Sequence, residues 1–161
     1  MEAPLRIVSV VNAGLWFGAG LFLTAVVGPN FFSPTVTELV GRQNAGLIAQ
    51  SVLAKYFVLQ LACAALAAGL LFARVRSFRC RHLIALLGLL GIVALGGSWI
   101  QPKLVGLNRL RYAASTAPEE KERLGKEFGK WHGVSQVGNL VVLVGSLAHL
   151  VVLARGPRRT A

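Results

Sequence analysis

Four long apolar runs divide the chain, at residues 7–27, 47–73, 83–101 and 132–154. Each is close to or above the roughly 20 residues that an α-helix needs to cross hydrocarbon. The pattern therefore predicts four transmembrane spans in one domain over residues 1–161. Polar and turn-forming residues separate them. Gly28-Pro29 is expected to end the first helix, because proline cannot continue the hydrogen-bond ladder. Ser33-Pro34 then opens a short amphipathic segment with Val36, Leu39 and Val40 on one face, ending near Gly41-Arg42-Gln43-Asn44. Trp99, Gln101 and Pro102 mark the exit of the third span into a polar connection through Leu110-Arg111-Tyr112.

The last helix is expected to start well outside the membrane. Thr116 to Glu119 fits a capping box with Pro118 in the first turn. Glu119–Arg123 and Glu122–Lys126 have the favourable i,i+4 order, and Leu124, Phe128 and Trp131 form an apolar stripe. The fold class is thus all-α, an integral membrane four-helix transmembrane bundle with short amphipathic helical extensions. The two halves share one plan: span, proline-containing turn, short amphipathic element, span. The first run is expected to be a retained span and not a cleaved signal peptide, since its apolar core is too long and no A-x-A site precedes Phe31-Phe32.

Composition agrees. Hydrophobic residues make up 55% and charged residues 14%, against roughly a quarter charged in a soluble domain. The net charge of +11 does not point to nucleic acid, because the basic residues flank apolar runs and no basic cluster is interleaved with stacking aromatics. Of the 17 basic residues, 8 lie in the amino terminus, the 74–81 loop and the carboxyl terminus, so the raw count does not set the orientation. Density does. Arg74, Arg76, Arg79 and Arg81 abut two spans directly, which places both termini in the cytoplasm and the protein in the inner (plasma) membrane. Cys63 and Cys80 are about 25 Å apart along a helix, so a disulfide is not expected.

The spans hold no Asp or Glu, which removes the carboxylate relay of a proton pump. Gly14-x-x-x-Gly18 reads first as packing within the bundle and second as a homodimer face, and Gly88, Gly91, Gly96 and Gly97 read as packing positions in the third span. His132, Ser135 and Asn139 share one helix face at i, i+3, i+7. Polar groups facing hydrocarbon unpaired cost several kcal/mol by order of magnitude, so this face is expected to point into the bundle. Gln50, Ser51 and Lys55 on the second span are the expected partners, with Arg111 at the mouth and Lys55 able to snorkel. These form a candidate ligand site: His132, Ser135, Asn139, Gln50, Lys55 and Arg111. His82 and His149 fall at similar depth and are a second candidate, for a metal or a bis-His haem. No nucleophile–base–orienter set or phosphate cradle is present, and Ser135 with His132 lacks a carboxylate orienter.

Trp16-Phe17-Gly18 followed by Val27-Gly28-Pro29-x-Phe31-Phe32 resembles the first-span signature of the transmembrane protein 205-like family, bacterial membrane proteins of unknown function. Pro102 with Leu110-Arg111, and Phe128-x-x-x-His132-Gly133-x-Ser135-x-x-x-Asn139-Leu140, resemble that family's later motifs. Ala54-Lys55 stands where the family pattern has Phe-Pro. The resemblance implies a four-helix membrane fold and no established activity. Small four-span oxygenase-like proteins, which carry Arg after a His in the last helix, are the weaker match, since Ser135 and Asn139 stand there. The expected function is non-enzymatic: binding a partner or small ligand, or assisting assembly or export, without a cofactor. The expected partners are the bilayer, a second copy through the Gly14/Gly18 face, or another membrane protein. The alternative is a membrane redox enzyme or haem- or metal-binding protein built on histidines.

Overall fold

The computed structural model describes residues 3–72 and 80–155. The arginines at 74, 76, 79, 158 and 159, and the side chain of Cys80, lie outside this description. The described residues form four long helical rods, each long and apolar enough to cross a membrane: Pro4–Phe31, Pro34–Phe72, Arg81–Tyr112 and Pro118–Arg155. Their regular pieces are α1 (Ala3–Phe22), α2 (Gly28–Phe31), α3 (Pro34–Phe72), α4 (Cys80–Leu95), α5 (Gln101–Tyr112) and α6 (Pro118–Arg155).

Two rods contain a π turn, at Leu23–Val27 and Gly96–Ile100, and both precede a proline. Pro29 and Pro102 have no N–H to give the carbonyls four residues back, at Ala25 and Ser98. Widening the helix by one residue bypasses the gap: Gly28 N–H reaches the Leu23 carbonyl and Gln101 N–H reaches the Gly96 carbonyl. The helices therefore run through both prolines. The first rod ends at Phe31 rather than at Gly28-Pro29, and the polar stretch after Pro102 is the helix α5. The span–π turn–proline–extension plan occurs in both halves of the chain.

The short segment after Pro34 forms as expected, and Gly41 breaks it from the span at φ 77°, ψ 150°. That backbone conformation is one that a side chain disfavours. Thr116 does not cap α6: its hydroxyl donates to the Leu110 carbonyl at 2.8 Å, closing the end of α5. Lys126 pairs with Glu122 at 2.7 Å, but Arg123 pairs with Glu120 at 2.6 Å, one residue nearer than Glu119.

The bundle is inside-out relative to a soluble protein. Ile7, Val11, Val58, Ile84 and Val137 are each more than 60% exposed, while Asn12, Gln60, Gln101, Asn108 and His149 are buried. Such an exposed apolar surface suits hydrocarbon as the solvent. No Asp, Glu, Lys or Arg is buried among the described residues. The core is Trp16 on α1, Cys63, Ala64, Ala67 and Ala68 on α3, Leu86 and Val93 on α4, and Val142 on α6. The alanines let α3 approach its neighbours closely. Ala45, Leu104, Leu107 and Leu124 are buried where α3, α5 and α6 meet at the other end of the bundle. Arg6 Nη2 lies 3.4 Å from the Ala154 carbonyl, so the two ends of the described chain share one face of the membrane.

Gly14 and Gly18 do not pack inside the bundle. A Cβ added at either would meet nothing within 4 Å, and the same holds for Gly88 and Gly91. Among the glycines that carry close approach are Gly96 and Gly97, under Phe57, together with Gly20 and Gly145. A Cβ on Gly20 would lie 3.1 Å from Tyr56 Oη, and one on Gly145 would lie 2.7 Å from Leu89 Cδ1.

Candidate functional site

A chain of neutral polar side chains crosses the bundle near the π turns. Trp16 Nε1 donates to Gln60 Oε1 at 3.0 Å. Gln60 Nε2 donates to the Tyr56 hydroxyl, one helical turn away on α3. Tyr56 donates to Asn139 Oδ1 at 3.2 Å, and Asn139 Nδ2 donates to Thr24 Oγ1 at 2.8 Å. Each donor finds an acceptor in one direction, so the relay is internally satisfied and holds α1, the first π turn, α3 and α6 together. Asn12 Nδ2 adds a second tie from α1, to the Cys63 carbonyl at 2.9 Å.

Local sequence explains the placement. Ser9, Asn12, Ala13, Trp16 and Gly20 lie at helical spacing on the buried face of α1. Gly20 leaves room for the Tyr56 and Gln60 heads beside it. Thr24 sits inside the π turn, where the extra residue re-aims side chains. The second π turn reaches the same place, because Gly96 and Ile100 line a cavity of about 40 Å³ with Tyr56, Gln60, Ser135 and Asn139. That volume is well above the roughly 10–15 Å³ that one water needs, so it admits a small polar molecule.

The six residues singled out from sequence do not form one site. Asn139 points into the bundle toward the first and second spans, but its partners are Thr24 and Tyr56. Ser135 lines the cavity beside it. His132 is exposed, stacks on Phe128 at 5.7 Å and contacts Gln136 at 3.2 Å on its own helix. Gln50 docks α5 instead: its Nε2 lies 3.5 Å from the Leu104 carbonyl, and Gln101 Nε2 donates to the Gln50 carbonyl at 3.2 Å. Lys55 is exposed, as a snorkelling lysine would be. Arg111 packs its guanidinium on α6 at Gly125, some 21 Å along that helix from Asn139. Thr24, Tyr56, Gln60 and Trp16 belong to the site and were not singled out for it. Their signal was polarity on the inward stripes of the first two spans.

Where α5 meets α6, Trp99 and Trp131 pack edge to face at 5.1 Å, and Lys103 Nζ sits 4.2 Å above the Trp131 ring and 3.5 Å from Glu127. These aromatics with a cation suit a membrane–water boundary.

His82 and His149 do come together. His82 Nε2 and His149 Nδ1 are 2.9 Å apart, with the rings nearly perpendicular at 76°. Two imidazoles on one metal hold their ligating nitrogens about 3.3 Å apart at a tetrahedral ion and about 4 Å apart across a haem iron, each twice a usual bond length or somewhat less. A bis-His haem therefore does not fit this hydrogen-bonded pair as it stands.

One family model matches residues 11–113 and is described as a domain of unknown function, DUF4149. No curated protein and no solved structure matches the chain.

Proposed function

The chain belongs to the DUF4149 family, a domain of unknown function, and on that footing we propose that it is a non-enzymatic binding protein of the inner (plasma) membrane. Its binding centre is the Tyr56–Gln60–Asn139–Thr24 relay with Ser135, and its ligand is a small uncharged polar molecule. The observation that carries this reading is convergence: both π turns and all four spans meet at one satisfied polar cluster and the small cavity beside it. π turns in helices concentrate at functional sites. The groups involved are an indole, two carboxamides, a phenol and hydroxyls, which bind by hydrogen bonding and carry no charge near neutral pH. The transmembrane protein 205-like naming forms part of the proposal, supported by Trp16 and Asn139, residues of two of its motifs, meeting in one relay.

Both termini are cytoplasmic in this reading, supported by the arginine density at 74–81. Assistance to assembly or export is a second role. It is favoured by the α5–α6 hairpin, which carries Lys103, Arg109, Arg111 and the charged turns of α6 beyond the spans. The test is to purify wild type and Asn139→Leu from their own membrane, denature both, and analyse the extracts by mass spectrometry. A small neutral molecule stoichiometric with wild type and depleted in a folded Asn139→Leu is expected. Identical extracts would overturn the assignment.

A further inference from the structure

A second feature lies at the end of the bundle that holds both chain ends. An open groove of about 610 Å³ runs between α4 and α6. Leu89, Val144, Gly145 and Ala148 are among its walls, and the His82–His149 pair also lines it. Gly145 forms part of the wall because Leu89 lies directly over it, where a Cβ would clash. The volume is within the range of sites for drug-sized ligands.

We propose that this groove binds an uncharged lipid-soluble molecule carrying a hydroxyl or carbonyl head on an apolar tail, of the prenyl-quinone class. Three observations select that chemistry. Among the described residues no charged side chain lines the groove, so a phosphate or ammonium head would be desolvated there without a partner. The walls are aliphatic and open toward the hydrocarbon side, so the tail can stay in the membrane. The histidine pair supplies one adaptable polar contact. If His149 Nδ1 accepts from His82, then His149 Nε2 carries the proton and donates to a carbonyl; if Nδ1 donates, Nε2 is a lone pair that accepts from a hydroxyl. The same ring thus suits either head group without gaining charge. This site is separate from the Asn139 relay and does not depend on it.

The experiment measures melting temperature in detergent against rising concentrations of a decyl-tailed benzoquinone, with decylbenzene as the headless control. Wild type is expected to show a saturable rise with the quinone and none with decylbenzene. His149→Leu should weaken the apparent affinity by about threefold to tenfold, the range that one neutral hydrogen bond sustains. Val144→Trp fills the groove from a lipid-facing position, keeps the histidine pair, and should abolish the shift. Because Val144 is 59% exposed, this variant should still fold even where His149→Leu does not. An equal response to decylbenzene would mean a groove for acyl chains only, and an unchanged response in Val144→Trp would place the ligand elsewhere. Either result overturns the proposal.

Discussion

Replacing Asn139 with Leu keeps the side-chain volume close and removes two hydrogen bonds, to Thr24 at 2.8 Å and from Tyr56 at 3.2 Å. Hydrogen bonds between membrane helices average about 0.6 kcal/mol and reach about 1.7. The loss should therefore be about 1–3 kcal/mol. Tyr56→Phe removes the shared bond and also the acceptor for Gln60, with a similar cost. Because both changes delete the same Tyr56–Asn139 bond, the double variant should cost less than the sum, by about 0.6–1.7 kcal/mol. Unfolding equilibria of the four proteins in detergent, followed by helical ellipticity, give this coupling directly. Costs that add to within about 0.3 kcal/mol would show that the two side chains do not share a bond, and the relay would fail at its centre.

Gly20→Leu should lower stability by about 1–3 kcal/mol through overpacking against Tyr56 and Leu143, while Gly14→Leu and Gly18→Leu should change it by less than about 0.5 kcal/mol. Thermal melts that rank these three in the opposite order would refute the orientation of α1. Gly41→Ala forces a side chain to φ 77°, ψ 150°, a region essentially confined to glycine, and should cost about 1–3 kcal/mol, and an unchanged melting temperature would argue against the break before the second span. Ser77→Cys in a background free of the native cysteines should resist a membrane-impermeant thiol reagent added from the periplasmic side; efficient labelling would invert the topology.

The spans were legible because lipid makes apolarity continuous over about 20 residues, a signal that no local detail disturbs. The stopping points were not, because proline ordinarily ends or kinks a helix. At Pro29 and Pro102 a π turn absorbs the missing donor instead, and the sequence does not announce that choice. The inward face of the first span was readable in principle. Ser9, Asn12 and Trp16 mark it, and Gly14 and Gly18, each two residues from Trp16, lie about 200° round the helix on the other side. Gly14 and Gly18 mark the outward face of α1, so packing within the bundle fails for them, since glycine has no side chain to declare which face it serves.

The face shared by His132, Ser135 and Asn139 was a sound deduction for Asn139 and failed for His132. The 38-residue α6 meets α5 near its start and the first rod further along, so no single face is covered over its whole length. His82 and His149 were brought together by depth alone, which suffices when two antiparallel spans are adjacent.

The central claim is that the void beside Asn139 is a binding centre and that the relay is more than a brace. A high-resolution structure of the protein purified from its own membrane tests it most directly. Non-protein density bridging Ser135, Tyr56 and Asn139, larger than one water, is the expected result. An ordered relay around a void holding nothing or one water would contradict the claim and leave the cluster as helix-packing glue.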